Sequence, residues 1–252
     1  MAMKPSVSAI VLTYNEERHI RDCLESITWC DEIWIVDSFS TDDTLQICRE
    51  YTSNIAQHAF ENFAAQRNRA LDSLPLSGEW IFFVDSDHRV TPEQRREIQR
   101  RLVEDQGRFA GYFVPKSQYH WGKPLRFGGA YPSYDILLFQ KGKGRFAESK
   151  IVHESFELEG RPSFLMNTIK VIARESLFEY VDRINWYSNF DALRMFRTGQ
   201  ELFTTTSESY SRLNQVLKAV FKYLPFKPIA YFFYMYLIKQ GFRDGYRGLL
   251  LS

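Results

Sequence analysis

The chain has 252 residues, and its 32 Lys and Arg against 31 Asp and Glu leave a formal net charge of +1. With 44% hydrophobic and 16% aromatic residues it has ample material for a core, which excludes a disordered chain, and the neutral balance excludes a dedicated nucleic-acid binder, whose domain would carry a basic excess. The balance hides an asymmetry: residues 1–50 hold ten acids and four bases, whereas residues 201–252 hold seven bases and three acids, so one end suits cations and the other an anionic surface.

Ser6 to Leu12 is a short apolar, β-branched run with the length of a buried strand. Asn15-Glu16-Glu17 then opens a helix whose apolar face is Ile20, Leu24 and Ile27. A second strand, Glu32 to Asp37, precedes Ser40-Thr41-Asp42-Asp43, an N-cap cluster for a helix carrying Leu45 and Cys48. A weaker strand near Asn54 to Gln57, a helix from about Phe63 to Leu74, and the apolar strand Trp80 to Val84, ending at Asp85, follow. Strands that read as unbroken apolar runs between helices predict a parallel sheet covered on both faces. In such sheets ligands bind beyond the carboxyl ends of the strands.

After a charged helix from Pro92 to about Gln106, short strands near Tyr112 to Pro115 and Ile136 to Gln140 are separated by Phe127-Gly128-Gly129, and Lys141-Gly142-Lys143-Gly144 follows. This reads as the mixed second half of the same domain. From about Leu177 the pattern is helical again. Cys23, Cys30 and Cys48 match neither a disulfide framework nor a zinc pattern, so they are expected as buried free thiols. No charged-then-apolar leader precedes the first strand, and a cytosolic location is expected.

Thr13-Tyr14-Asn15-Glu16, Asp37-Ser38 and Asp85-Ser86-Asp87 each fall at the predicted carboxyl edge, so three segments converge on one acidic, aromatic-lined crevice. The two carboxylates of Asp85-x-Asp87 can share Mg²⁺ or Mn²⁺ and its phosphate ligand. Alone the triplet reads as a solvated turn; its place beside two other acidic strand ends favours the metal. Neither GxGxxG nor GxxxxGK[ST] occurs, so a nucleotide would be held by Tyr14 stacking, by carboxylates on base and ribose, and by a metal on the diphosphate.

The ordered strings Ile10-Val11-Leu12-Thr13-Tyr14-Asn15-Glu16, Val36-Asp37-Ser38-x-Ser40-x-Asp42, Gln66-Arg67-Asn68 and Val84-Asp85-Ser86-Asp87 resemble the family 2 inverting glycosyltransferases. Trp121-Gly122-Lys123-Pro124-Leu125-Arg126, Gly128-Gly129-x-Tyr131-Pro132, Val152-His153-Glu154 and, more loosely, Gly241-Phe242-x-Asp244-Gly245-x-Arg247-Gly248 make the lipopolysaccharide-core β-1,4-glucosyltransferase branch the best match. The resemblance implies an α/β GT-A nucleotide-diphospho-sugar transferase fold, with a Rossmann-like, mainly parallel sheet and a mixed second half. Residues 1–175 would be the catalytic domain and 176–252 a helical C-terminal extension. Thr13, Tyr14, Glu16, Asp37, Arg67, Asp85 and Asp87 would bind a UDP-sugar: Tyr14 on the uracil, Asp37 and Arg67 at the base, Asp85 at the ribose.

Asp87, with His153, would hold Mn²⁺ or Mg²⁺, and Glu154 would be the general base of a single inverting displacement. His153 is alternatively the residue that orients Glu154, and without the motif the pair reads as surface. His88 stands where the family often carries Glu. Two departures bear on the acceptor: Leu137 replaces the family's usual Arg, and Phe164 to Ala173 lack a histidine the family commonly has. Trp121, Arg126 and Tyr131 are acceptor-side candidates. Lys141, Lys143 and Arg145 are either anion ligands or solvated loop charge.

Leu213, Val216, Leu217, Val220, Phe221 and Leu224 form an apolar helix stripe, and Ile229 to Ile238 are ten uninterrupted apolar or aromatic residues. A spanning helix needs about twenty. Six bases and no acid lie from Arg212 to Arg243, which suits peripheral attachment to the inner face of the cytoplasmic membrane, with a packing helix or homodimer seam as the alternative. The expectation is a metal-dependent enzyme moving a hexose, foremost glucose, from a UDP-sugar to a lipid-linked or saccharide acceptor such as lipopolysaccharide core, with no nucleic-acid partner. The rivals are a nucleotidyltransferase on a similar fold and a non-catalytic membrane-associated scaffold.

Overall fold

The computed structural model describes residues 5–129, 131–147, 155–173, 176–182, 184–185, 188–189 and 227–252. They fall into two compact units: Met1–Gly122 with Pro132–Ala173, and Lys123–Tyr131 with Arg174–Ser252.

In the first unit β1 (Val7–Thr13) lies parallel between β2 (Glu32–Asp37) and β4 (Trp80–Asp85), with β3 (Ile55–Gln57) outside β2. The register sets Thr13 opposite Asp37 and Leu12 opposite Asp85. Helices α1 (Ile20–Ile27), α2 (Thr44–Cys48), α3 (Phe63–Ser73) and α4 (Pro92–Glu104) cover the sheet. Strand side chains alternate between faces. Ala9, Val11, Ile35, Phe82 and Val84 therefore pack with Ile20, Leu24 and Ile27 of α1 and Ile98 and Leu102 of α4. Ile10, Val36, Ile81 and Phe83 pack with Ala64 and Ala70 of α3. Burial on both faces is why β1 and β4 read as continuous apolar runs.

The mixed half adds β5 (His88–Arg89), β6 (Gly111–His120), β8 (Ser133–Gln140), β11 (Pro162–Phe164) and β12 (Ile169–Ile172); the two-residue β7 (Lys123–Pro124) belongs to the second unit. The strand order is β3-β2-β1-β4-β8-β6-β12-β5, with β11 beside β6. A separate hairpin pairs β9 (Gly144–Ala147) with β10 (Ser155–Leu158). Because β8 is antiparallel to both β4 and β6, β6 ends at His120 and β8 begins at Ser133 on the edge where β4 delivers Asp85. Gln140, opposite Trp80, lies at the other edge.

In the second unit α5 (Lys227–Phe233) runs into a π-helical turn, Tyr234–Ile238, a 3₁₀ turn, Gly241–Asp244, and α6 (Tyr246–Leu251). The aromatic run Ile229–Ile238 is thus helical, and no helix among the described residues is long and apolar enough to cross a membrane. The Leu213–Leu224 stripe lies outside the described residues.

Candidate active site

Two loops at the carboxyl edge are stitched together by the polar residues that follow β1 and β2. Asn15 N–H donates to Ser40 Oγ at 2.9 Å, Thr41 N–H to Asn15 Oδ1 at 2.8 Å and Glu16 N–H to Thr44 Oγ1 at 2.7 Å. Glu17 N–H reaches Asp42 at 3.1 Å. Burial works against the charge on Asp42, but hydrogen bonds from the Thr44 hydroxyl and amide and from Glu17 outweigh it and lower its pKa.

Within this weave Asp37 is fully buried. It accepts from Thr13 Oγ1 at 3.1 Å and from Ser40 N–H and Gln57 Nε2 at 2.9 Å each. Thr13 and Asp37 are therefore together inside the wall of the site. Glu16 is half-buried, and Tyr14 stands 57% exposed on the first loop. Its counterpart on the second loop is Phe39, 53% exposed with φ 61°, a left-handed backbone that a bulky side chain adopts only when its neighbours hold it. Phe39 escapes a motif reading; a large apolar residue inside a polar capping cluster is its sequence signal.

Gln66, Arg67 and Asn68 divide three tasks. Helix α3 starts at Asn62, whose side chain accepts from Ala65 N–H at 2.8 Å. Gln66 donates to Ser38 Oγ at 3.1 Å, and Asn68 exchanges two hydrogen bonds with the Phe146 backbone at 2.8 and 3.0 Å. Phe146 is thereby set 5.2 Å from the Arg67 guanidinium, which donates to Asp85 Oδ1 at 2.9 Å. Burial pushes the Asp85 pKa up; Arg67, then His88 and more weakly Lys116, overcome it and bring it down to about 2.

The Asp85–His88 turn is held from several sides. Arg89 donates to the carbonyls of Ser86, His88 and His19 at 2.8 to 2.9 Å, and Ile172 N–H of β12 donates to the Asp87 carbonyl at 2.9 Å. His88 is buried, and its Nδ1 accepts from Asp85 N–H at 3.2 Å. In a neutral ring that leaves the proton on Nε2, 3.7 Å from Asp85 and 3.8 Å from Asp87. Asp85, Asp87 and His88 offer ligand atoms within 4.8 Å of one another. Cys23 Sγ lies 3.4 Å from the Asp85 carbonyl. All three cysteines are buried; burial pushes the Cys23 thiol up and Cys48 to about 12, so neither is a nucleophile.

Leu137 is buried in the core, and on the neighbouring strand Lys116 of β6 pairs with Asp135 of β8. Lys141 donates to the Leu76 carbonyl, Lys143 pairs with Glu159 at 3.2 Å, and Arg145 pairs with Asp72 at 3.0 Å. These three line a hollow of about 460 Å³ by Leu71 and Leu158, beyond the end of β8 opposite the Asp85 edge. Lys141 and Lys143 lie between β8 and β9 and Arg145 lies on β9, so all three are at the edge away from Asp85. Trp121, half-buried with φ 47°, belongs to the first unit, its ring 5.7 Å from that of His120. Arg126 and Tyr131 are exposed in the second unit. His153 and Glu154 lie outside the described residues.

A family model described as Glycosyl transferase family 2 matches residues 8–158. The chain is 26% identical, over an alignment of 260 positions, to the lipopolysaccharide core biosynthesis glycosyltransferase LpsC of Rhizobium meliloti (strain 1021), covering 99% of this chain and 87% of that one. It is 25% identical over 221 residues to an uncharacterized glycosyltransferase of Rickettsia conorii (strain ATCC VR-613 / Malish 7), covering 82% and 77%. Among solved structures it is similar to S. aureus TarS 1-349 in complex with UDP-GlcNAc, with 22% identity and a TM-score of 0.49, covering 68% of this chain and 59% of that chain.

Proposed function

The chain belongs to glycosyl transferase family 2 and is a glycosyltransferase; from that premise we propose that it moves a hexose, foremost glucose, from a UDP-sugar to a lipid-linked or saccharide acceptor of the cell envelope, such as lipopolysaccharide core. The observation that carries the donor assignment is the convergence of Thr13, Asp37 and Asp85–Asp87 at adjacent strand ends, with Arg67 across from them. Tyr14 flanks the uracil. Asp37, its oxygens committed to Thr13, Ser40 and Gln57, shapes the wall of the base site beside Glu16. Arg67 keeps Asp85 ionised so that it accepts from the ribose hydroxyls.

The residues present fit a divalent cation, because Asp85 and Asp87 bring hard oxygen donors together with an imidazole behind them. Asp87 would hold Mn²⁺ or Mg²⁺, with His153 joining from its own segment. When bound, the ion would neutralise charge on the leaving diphosphate. Glu154 takes the proton from the acceptor hydroxyl as the new bond to the anomeric carbon forms and the bond to the diphosphate oxygen breaks, inverting the centre. Arg126, Tyr131 and Trp121 serve the acceptor side.

We propose that the tail attaches the enzyme peripherally to the inner face of the cytoplasmic membrane. Tyr231, Phe233, Leu237, Ile238 and Tyr246 are all at least half exposed, and Lys239, Arg243 and Arg247 accompany them; an aromatic face bordered by bases suits an anionic leaflet. The enzyme assignment is tested by Mn²⁺-dependent release of UDP from UDP-glucose, stimulated by a core-oligosaccharide acceptor. Glu154→Gln should abolish transfer while calorimetric affinity for UDP with Mn²⁺ persists. A donor panel giving no UDP release would remove the donor assignment.

A further inference from the structure

The Gly241–Asp244 turn has no part in the chemistry above, yet its carboxylate is fully engaged. Asp244 Oδ2 accepts from Phe127 N–H at 2.8 Å, and both of its oxygens accept from Arg126 N–H at 3.1 and 3.2 Å. Gly128 N–H donates to the Lys239 carbonyl at 2.9 Å, and the Arg243 guanidinium lies 4.1 Å from the centre of the Phe127 ring. Three successive amides of one segment are thus held by a turn more than a hundred residues further along the chain. Hydrogen bonds to an ionised acceptor are roughly twice as strong as neutral ones.

The backbone around Asp244 admits little variation. Gly245 has φ 65°, and a Cβ at Gly248 would sit 1.7 Å from the Gly241 carbonyl oxygen, so the 3₁₀ turn and α6 approach closer than any side chain permits. On the other side, Gly128 and Gly129 take φ of 63° and 72°, the left-handed region that lets the segment turn its amides toward the carboxylate. The clasped segment is the connection between β6 and β8. Both of its anchoring strands, at His120 and Ser133, meet the edge that carries Asp85. The Arg126 side chain remains exposed, while its own amide is fixed.

We propose that Asp244 is a positioning residue for the acceptor: it clasps Arg126–Gly128 so that the Arg126 guanidinium is presented to an anionic group, a phosphate or carboxylate, on the acceptor saccharide. The clasp stands on the contacts above, and its consequence for the acceptor rests on the glycosyltransferase reading.

The test compares the 252-residue chain with Asp244→Asn, Asp244→Ala and Arg126→Gln by amide hydrogen exchange and by steady-state transfer. Both Asp244 variants should speed exchange across residues 126–128 while β1 and β4 stay protected. They should raise the KM for a phosphorylated acceptor by on the order of tenfold, the equivalent of one lost charged hydrogen bond, with Mn²⁺-UDP affinity unchanged. Arg126→Gln should raise the same KM without changing exchange. Unaltered exchange in the Asp244 variants would refute the clasp, and faster exchange with an unchanged acceptor KM would refute the positioning role. If Asp244→Ala unfolds, Arg126→Gln decides: an unchanged KM for phosphorylated and unphosphorylated acceptors alike overturns the proposal. Wild-type protein that releases no UDP, yet shows the exchange difference, would fail the transferase reading and leave the clasp standing.

Discussion

Arg67 on α3 donates to Asp85 at the end of β4 across 2.9 Å, with its guanidinium 5.2 to 5.9 Å from the ring centres of Phe63, Phe83 and Phe146. The aromatic frame removes the alternative positions of a long side chain, so the pair holds its geometry without ligand. It also sets the ionisation of the acid.

Arg67→Gln should raise the Asp85 pKa, since burial already pushes it upward and Arg67 is its strongest opponent. In the folded wild type that pKa is about 2, below the ordinary carboxylate value of about 3.9. The pair's contribution is therefore complete above the ordinary value and disappears as pH falls through the folded one. In the variant the acid limb of Mn²⁺-UDP affinity should move to higher pH. Asp85 is 40% exposed, so solvent screening keeps the loss of stability below about 1 kcal/mol. Carboxyl carbon titration by NMR reads the shift directly; an unmoved midpoint would contradict the pairing.

Asp87→Asn keeps the volume of the side chain and removes its charge. Mn²⁺ affinity, followed by electron paramagnetic resonance, should fall by at least about tenfold, and UDP affinity should lose its metal dependence. Arg89→Ala touches no ligand atom but frees the carbonyls of Ser86 and His88. Loss of such outer support weakens metal sites by roughly 10- to 100-fold. Wild-type Mn²⁺ affinity in both variants would place the ion elsewhere.

The parallel half that carries the candidate site was legible because its core strands are apolar runs that stop at a polar residue. Thr13, Asp37 and Asp85 mark where the apolar runs end, and parallel register brings those ends together. Gln66-Arg67-Asn68 was legible as a motif but not as a division of labour, since Asn68 bonds a strand 78 residues away. Periodicity is blind to pairing between distant segments. Strands β5, β11 and β12 span two to four residues, too few for a pattern, although β12 fixes the Asp87 carbonyl through Ile172. Neither Arg89 nor Lys116 belongs to a motif or periodic pattern that would single it out. The bond of Asp244 to Arg126 spans 118 residues, with nothing in either segment to announce the other.

Asn68→Ala should be the most destabilising single change near the site. It leaves the buried Phe146 N–H and carbonyl without these partners, and each unsatisfied group costs about 1–3 kcal/mol. A fall of about 2–4 kcal/mol in unfolding free energy is expected from urea titration, with little change in slope because the surface exposed on unfolding is the same. Arg67 loses the support of Phe146 in that variant, so donor affinity should fall with stability. A loss under 0.5 kcal/mol, or about the effect of a surface change, would mean that water replaces Asn68 without penalty.

The tail supplies the prediction with the widest consequence. Its single described acid, Asp244, is consumed by the Arg126 and Phe127 amides, so the outward charge of the segment is that of its bases. Each base near an anionic leaflet is worth about 1 kcal/mol. Lys239→Glu combined with Arg247→Glu should therefore weaken binding to phosphatidylglycerol vesicles by at least about thirtyfold, and raised salt should weaken the wild type in the same direction. Ile238 is 70% exposed; Ile238→Asp should lower binding through lost apolar insertion, with little response to salt. Retained flotation of the double charge reversal would remove the electrostatic attachment. Loss of a dimer in the Ile238→Asp protein, measured by light scattering without any loss of flotation, would assign this face to self-association instead.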